Sequence, residues 1–475
     1  MNLKLSIYFL LSFLFITNIT QAQKKWTLEE CINYALKNNI DIKQNSLQLD
    51  IQATNLLRSK AMLLPSLNAN GNDIVNWGKT VDRYTNKFAD ARTTSINLYL
   101  QSSVTLFNGF KLLNTVKKNK LNLKAQQYDL EYQKDMKSME ITTAFLQILY
   151  DKENLKNKKE QVRLTQMQVD RTSKLVEAGS LAKGDLYNIK SQLATEQAQK
   201  VDAENKLTIS KLKLKQLMYI PGDSTISIYA PNIELSEGFS QLEDPYKVYN
   251  YALKNRPEIK SAKIKVESAQ KELRIAQGGI SPSISLSAGL GSGYSGANSI
   301  LAGNPIFTGF VPNGNITTAG DTVISPTYSY KTKPKDWDKQ FTDNKNYSIG
   351  LYVSIPIFNG LQNYTTISQS KIAMQQAELQ LEKSKLQMRQ TIEQAYADAR
   401  SAHKQYEAAN IQVKALTESF DYASQRYDAK MITAFEYNDA KIKLDMAKSD
   451  LLNAKFNYIF RVKVLDFYNG KPLKL

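Results

Sequence analysis

Residues 388–439 read MRQTIEQAYADARSAHKQYEAANIQVKALTESFDYASQRYDAKMITAFEYND, and they decide the fold. Met388, Ile392, Ala395, Ala399, Ala402, Tyr406, Ala409, Val413, Leu416, Phe420, Ala423 and Tyr427 follow one another at alternating steps of four and three. Such a seam predicts a long coiled-coil helix. It stops at Asp428-Ala429-Lys430-Met431-Ile432-Thr433, which has no apolar continuity. A second helical run starts at Ala434 and sets Glu436 and Asp439 on one face of its first turn. The stretch therefore describes a helix, a tip, a reversal, and two carboxylates just past the bend.

The chain has 475 residues and a formal charge of +17. That charge suggests nucleic acid or an anionic surface, but the lysines are spread among acids along the helical stretches, as on a solvated face. No nucleic-acid partner is expected. Lys4, an apolar run over residues 5–16 and Thr20-Gln21-Ala22 read as a secretory signal peptide, residues 1–22, cut before Gln23. The run is too short to span a bilayer. The single cysteine, Cys31, excludes an internal disulfide, does not follow the cut, and reads as a packed apolar residue in a helix. No other long apolar run exists, so any membrane segment must be made of strands.

After the leader, Thr27 and Glu30 form a capping box before Tyr34-Ala35-Leu36-Lys37-Asn38. Amphipathic helix continues to Pro65. Strand-like sequence covers residues 66–75, then a polar loop with Trp77 and Tyr84. In a second strand Ile96, Leu98, Leu100, Val104 and Leu106 alternate with Asn97, Tyr99, Gln101, Ser103 and Thr105. Phe107-Asn108-Gly109 turns into a helix expected over residues 112–178, about 100 Å long. Its stripe is Ile141, Ile148, Leu155, Val162, Val169 and Val176. The helix breaks at Ala178-Gly179-Ser180 and returns through Asp185 to Met218. An irregular linker then runs from Pro221-Gly222 to Asp244.

There the chain starts again. Tyr251-Ala252-Leu253-Lys254-Asn255 repeats the pentapeptide at Tyr34, and Pro282 stands to it as Pro65 stands to the first. A strand is expected over 284–290. Another has Ile349, Leu351, Val353, Ile355 and Ile357 on one face and ends at Phe358-Asn359-Gly360. From that point Gly179 falls on Lys430 and Asp185 on Glu436 without a gap. The predicted organisation is a duplication of helix, strand, strand, long helix, bend, helix. The first repeat is 23–243, with strands about 66–107 and a helical hairpin about 110–219. The second is 244–475, with strands about 283–358 and a hairpin about 361–468. Residues 291–346, rich in Gly, Ser, Asn and Pro, read as a long outer loop without helical or strand period.

Strands of about ten residues with one apolar and one polar face fit a membrane barrel. Two hairpins give four strands, too few to close, and open edges cannot stay in lipid. An obligate oligomer follows. The narrow, Ala-rich helical seams suit a thin wall with water on both sides better than a thick core. The alternative is a secreted coiled-coil structural or adhesive protein with a small soluble sheet.

The duplicated plan, the two prolines before strands, Pro356-Ile357-Phe358-Asn359-Gly360 opening a long helix, and the two tips together resemble the TolC family of trimeric outer-membrane efflux channels. The resemblance covers nearly the whole chain after the leader. It implies a homotrimer, a 12-stranded β-barrel in outer-membrane lipid, and a long periplasmic α-helical barrel. It also implies a Gram-negative outer membrane, a periplasmic membrane-fusion adaptor, and an inner-membrane pump of RND or ABC type. The chain would be the passive exit duct of a tripartite efflux or type I secretion system. The resemblance places the periplasmic gate at Glu436 and Asp439, with Tyr427, Asp428 and Asp185 beside it. Glu436 stands where the family commonly has Asp. Lys430 stands where its tips commonly have glycine, and Ile432 where its best-known member has a locking arginine. The adaptor-docking tips would be Gly179, Ser180 and Leu181 in one hairpin and Lys430, Met431 and Ile432 in the other.

No enzyme, cofactor or metal site is expected. No Ser/His/Asp set, Cys/His cluster or phosphate loop appears. The one histidine, His403, is expected on a solvated flank of the seam.

Overall fold

A computed structural model describes residues 25–89, 92–222, 226–231 and 242–474. The leader peptide and most of the linker before Asp244 lie outside those residues. In chain order the elements are β1 (Lys25–Trp26), α1 (Leu28–Asn38), α2 (Ile40–Ala61), β2 (Ser66–Asn76), β3 (Thr80–Val81), β4 (Phe88–Ala89), β5 (Thr93–Phe107), α3 (Lys111–Glu177) and α4 (Lys183–Met218). There follow β6 (Ser227–Ile228), α5 (Pro245–Asn255), α6 (Pro257–Gln277), β7 (Ser283–Ser295), β8 (Ser299–Leu301), β9 (Ile306–Ile316), β10 (Thr322–Ser329), β11 (Thr332–Pro334), α7 (Trp337–Asp343), β12 (Asn346–Ser354), α8 (Gln362–Asp428) and α9 (Ala434–Tyr468).

The described chain forms two compact units that cut across the two sequence repeats. One holds residues 54–120 and 268–374, and the other holds residues up to 53, 121–267 and 375 onward. In the first unit, β12, β7, β5 and β2 form a four-stranded antiparallel sheet in that order. All four connections to helices leave from one end of it, as the registers Ser66↔Ser103 and Ser354↔Ser283 require. Alternation does the sorting. On β5, Asn97, Tyr99, Gln101, Ser103 and Thr105 share a face with Asn68, Asn70 and Asn72 of β2 and with Ser285, Ser287, Gly289, Gly291, Gly293 and Ser295 of β7. The other face carries Leu98, Leu100, Leu290, Ile349, Leu351 and Val353, all exposed, Ile349 to 77%. The outer strands β12 and β2 each have an unpaired edge.

Three expectations about this unit change. Strand β12 ends at Ser354, because Ile355 precedes Pro356 and the chain leaves the sheet there; Ile355 and Ile357 are exposed. Strand β7 runs on to Ser295. Residues 291–346 are not without period, since β8 pairs β11, β9 pairs β10, and α7 caps the excursion. Pro312, Pro326 and three glycines hid the alternation of the β9–β10 ribbon.

The second unit is helical. The capping box at Thr27 forms as expected, with Thr27 N–H to Glu30 Oε2 at 3.0 Å and Glu30 N–H to Thr27 Oγ1 at 3.2 Å. Cys31 is fully buried beside Leu28, Ala35, Ile141, Ile148, Leu214, Met218 and Ile459. The second repeat builds a matching cluster, Val248, Ala252 and Ile259 against Met388 and Ile392. Helices α3 and α8 are 67 residues each. On α8 the seam residues Met388, Ile392, Ala395, Ala399, Ala402 and Ala409 are buried. A small parallel pair, Lys25↔Ser227 and Trp26↔Ile228, has no precedent in the sequence pattern. His403 is not on a solvated flank. Its ring lies 5.0 Å from that of buried Tyr458, and its Nε2 is 3.2 Å from Glu407. No helix among the described residues is long and apolar enough to cross a membrane.

Candidate functional site

The two helical hairpins end in the same backbone motif. In the first, Gly179 adopts φ +72°, its N–H reaches Val176 O at 3.0 Å, and Ser180 N–H reaches Leu175 O at 2.8 Å. In the second, Lys430 adopts φ +58°, its N–H reaches Tyr427 O at 3.0 Å, and Met431 N–H reaches Arg426 O at 2.8 Å. These paired bonds satisfy the last helical carbonyls. Lys430 thus takes the backbone shape that glycine takes in the other tip, at the steric cost of a Cβ in the left-handed region. Around the tips Tyr187, Met431 and Phe435 are exposed, between 69% and 77%.

The entries to the returning helices differ. Helix α4 starts behind Ala182, whose side chain cannot cap, and carries Asp185 in its first turn. Helix α9 starts behind Thr433 in a full capping box. Thr433 N–H donates to Glu436 Oε2 at 2.8 Å and Glu436 N–H to Thr433 Oγ1 at 3.3 Å. The Thr433 backbone N–H, and then its hydroxyl, hold the Glu436 carboxyl below the usual range. Asp439 Oδ2 meets Lys443 Nζ at 2.6 Å. Within one chain, then, the two carboxylates share the first turns of α9 but face separate partners.

Tyr427, Asp428 and Asp185 do come together. Arg171 Nη2 of α3 meets Asp428 Oδ1 of α8 at 2.8 Å. Burial pushes the Tyr427 hydroxyl up in pKa, while nearby Arg171 and the hydrogen bond with Gln168 oppose this and Asp185 adds to it. The Tyr427 ring stacks on Tyr437 with centroids 4.8 Å apart, and Phe420 lies 5.4 Å from Tyr437. The bend of the second hairpin is therefore fastened to α3 by a charge pair and to α9 by aromatic stacking.

A further cluster escaped the sequence reading. Lys441 of α9 hydrogen-bonds Thr165 of α3 and lies 3.5 Å from Glu196 Oε1 of α4, and the Thr165 hydroxyl donates to Glu196 Oε2. Gln192 adds a bond to Glu196 at 2.9 Å. The Lys441 and Glu196 side chains are 10% and 4% exposed. Asp445, one turn on, is raised in pKa chiefly by burial, against the opposing charge of Lys441. The duplication does not repeat this cluster: its register sets Thr165 on Leu416, Glu196 on Ala447 and Lys441 on Lys190. Nothing in the local sequence announces it, because the partners lie on three helices far apart in the chain. The capping box at Thr433 was legible, being the same Thr-x-x-Glu spelling as at Thr27.

A four-stranded sheet with bilayer-length strands, one apolar and one polar face and free edges, together with two long helical hairpins in the same chain, defines the class of outer-membrane channel proteins. The chain belongs to the outer membrane efflux protein family, whose model matches residues 31–218 and 248–468. It is similar to outer membrane protein TolC of Escherichia coli K12, at 23% identity over 93% of this chain and 81% of the relative. It is also similar to the cation efflux system protein CusC of the same strain, at 22% identity over 92% of this chain and 85% of the relative. Among solved structures, VceC of Vibrio cholerae matches with a TM-score of 0.73 at 16% identity, over 94% of this chain and 96% of that one. The open state of the Neisseria gonorrhoeae MtrE channel matches with a TM-score of 0.69 at 16% identity, over 94% of this chain and 90% of that one. The chain is an efflux channel of the Gram-negative outer membrane.

Proposed function

We propose that three copies of this chain close one barrel and one helical duct, the passive exit of a tripartite efflux assembly. Three four-stranded sheets would make twelve strands and leave no edge in lipid. The observation that carries this is the sheet itself, whose apolar face is exposed and whose edges, β12 and β2, have no partner among the described residues. TolC-type relatives support the trimer, the periplasmic adaptor and the inner-membrane pump. The tip residues Gly179, Ser180, Lys430 and Met431, which are exposed, and Leu181 and Ile432, which are half-buried, are the docking points for the adaptor, as the free ends of the hairpins.

The gate is assigned to the ends of the second hairpin. With three copies, Glu436 and Asp439 contribute six carboxylates around one constriction, which favours cations. Asp428 through Arg171 and Tyr427 through Gln168 hold each hairpin pair closed, with Asp185 beside them. The test is single-channel recording of the Glu436→Gln/Asp439→Asn variant, in which Gln keeps an acceptor for Thr433. Cation selectivity and block by multivalent cations should fall by about tenfold. Unchanged currents and block would remove these residues from the aperture.

A further inference from the structure

At the end of the sheet remote from the helix connections, the β3–β4 hairpin folds back over the polar face. Its turn is closed by Asp82 N–H to Lys87 O at 2.9 Å and Asn86 N–H to Asp82 O at 2.8 Å. Asp82 is only 3% exposed. Its Oδ1 accepts from Tyr84 N–H at 3.1 Å, Thr85 N–H at 2.7 Å and Thr85 Oγ1 at 2.8 Å. Its other oxygen accepts from Ser295 Oγ of β7. One carboxylate therefore shapes the turn and pins it to the sheet.

Tyr84 fixes which face the turn covers. Its hydroxyl donates to Asn97 Oδ1 at 2.7 Å. It occupies the space a side chain on Gly293 would need, so a Cβ there would overlap the hydroxyl. Gly293 pairs with Asn97, and both belong to the polar face. The adjoining β7 residues on that face, Gly291 and Gly289, are as small, and they leave a depression of about 510 Å³. Arg83 stands over it with Tyr84, Asn97, Tyr99 and Asn346. Among the described residues lining it, Arg83 is the sole one charged at neutral pH.

We propose that Arg83, set beside this depression by the turn that the Asp82–Ser295 and Tyr84–Asn97 contacts pin, forms a binding ring for multivalent oxyanions at the outer end of the bore. The inference rests on the reading that three copies turn their polar sheet faces to a water-filled channel, so that three Arg83 side chains share one opening. A guanidinium stays charged at every physiological pH and matches phosphate or carboxylate oxygens in pairs. A ring of such groups concentrates anions and repels cations. The duct then has opposite preferences at its ends, acidic at the helical tip and basic at the outer mouth, so an anionic solute is retained at the outer mouth.

The test uses the full protein in bilayers of neutral phosphatidylcholine, with inorganic tripolyphosphate added to either side. Block of the parent channel should be stronger from one side and should weaken about tenfold in Arg83→Gln, with cation block from the opposite side unchanged. Gly293→Leu, which leaves Arg83 in place but evicts Tyr84 from its seat, should lose tripolyphosphate block as well. Equal block in the parent and both variants overturns the ring while leaving the channel intact. A parent protein that conducts no current overturns the bore, and the ring with it.

Discussion

Replacing Lys441 by Met removes the one cation from a site where Glu196 keeps only 4% of its side-chain surface in water. At 3.5 Å and an effective dielectric of about 20, the pair attracts by about 5 kcal/mol. Most of that attraction offsets the desolvation of the two charges, so the pair as a whole adds little net stability. Deleting one partner is another matter, because the buried Glu196 charge then keeps only the neutral donors Thr165 and Gln192, and the Thr165 hydroxyl loses the donor from which it accepts. Lys441→Met should cost about 3–5 kcal/mol. The triple change Thr165→Val/Glu196→Leu/Lys441→Met removes the charge pair and the hydroxyl between its members together. It should be neutral or more stable than the parent by about 1–4 kcal/mol. Thermal melting of the helical circular dichroism in detergent reads both. If Lys441→Met melts with the parent, or the triple variant melts as low as the single one, the three-helix cluster is not an ionic tie and the reasoning fails.

Burial raises the pKa of Asp445, so its folded form takes up a proton more readily than its unfolded form. The stability linked to that proton is present below the ordinary carboxylate value and is lost as pH rises through the elevated one. Asp445→Asn should therefore stabilise the protein at pH 7 and make no difference near pH 3, as melts at the two pH values would report. Lys430→Gly relieves the left-handed backbone of the second tip and should stabilise it by about 1 kcal/mol, seen as slower exchange of the amides at position 430 and at Met431. Thr433→Ala removes the side-chain half of the capping box, leaving the backbone N–H at 433 to Glu436, and should cost about 1 kcal/mol, with faster exchange in the first turn of α9.

The seam in α8, the repeated pentapeptide and the matched Phe-Asn-Gly turns made the helices, strands and duplication legible, because each is written in a local period. The four strands of the sheet followed for the same reason. What stayed hidden depends on contacts between distant segments. No period links Thr165, Glu196 and Lys441, and none links Trp26 to Ile228. His403 looked solvated among Ala and Lys, yet Tyr458 from α9 covers its ring. Residues 291–346 look irregular because proline, glycine and bulges interrupt an alternation that the β9–β10 ladder tolerates. At the tips, the sequence reading put Glu436 and Asp439 together in the first turn of α9, whereas only Glu436 lies in that turn and Asp439 follows it. That reading did not weigh that a Thr three residues before a Glu claims that Glu for its own cap.

The core around Cys31 sets a timetable for assembly. Leu28 and Ala35, near the start, pack with Ile226 and Ile228 from mid-chain and with Ile459 near the finish. Contacts this distant in sequence form late and slow the search for the native state. A nascent molecule delivered amino end first cannot complete this cluster until Ile459 has followed. Without Ile459 the apolar faces of Leu28, Ile141 and Leu214 would lack one of the segments that cover them, so the docking of the first helix depends on a residue more than 400 positions away.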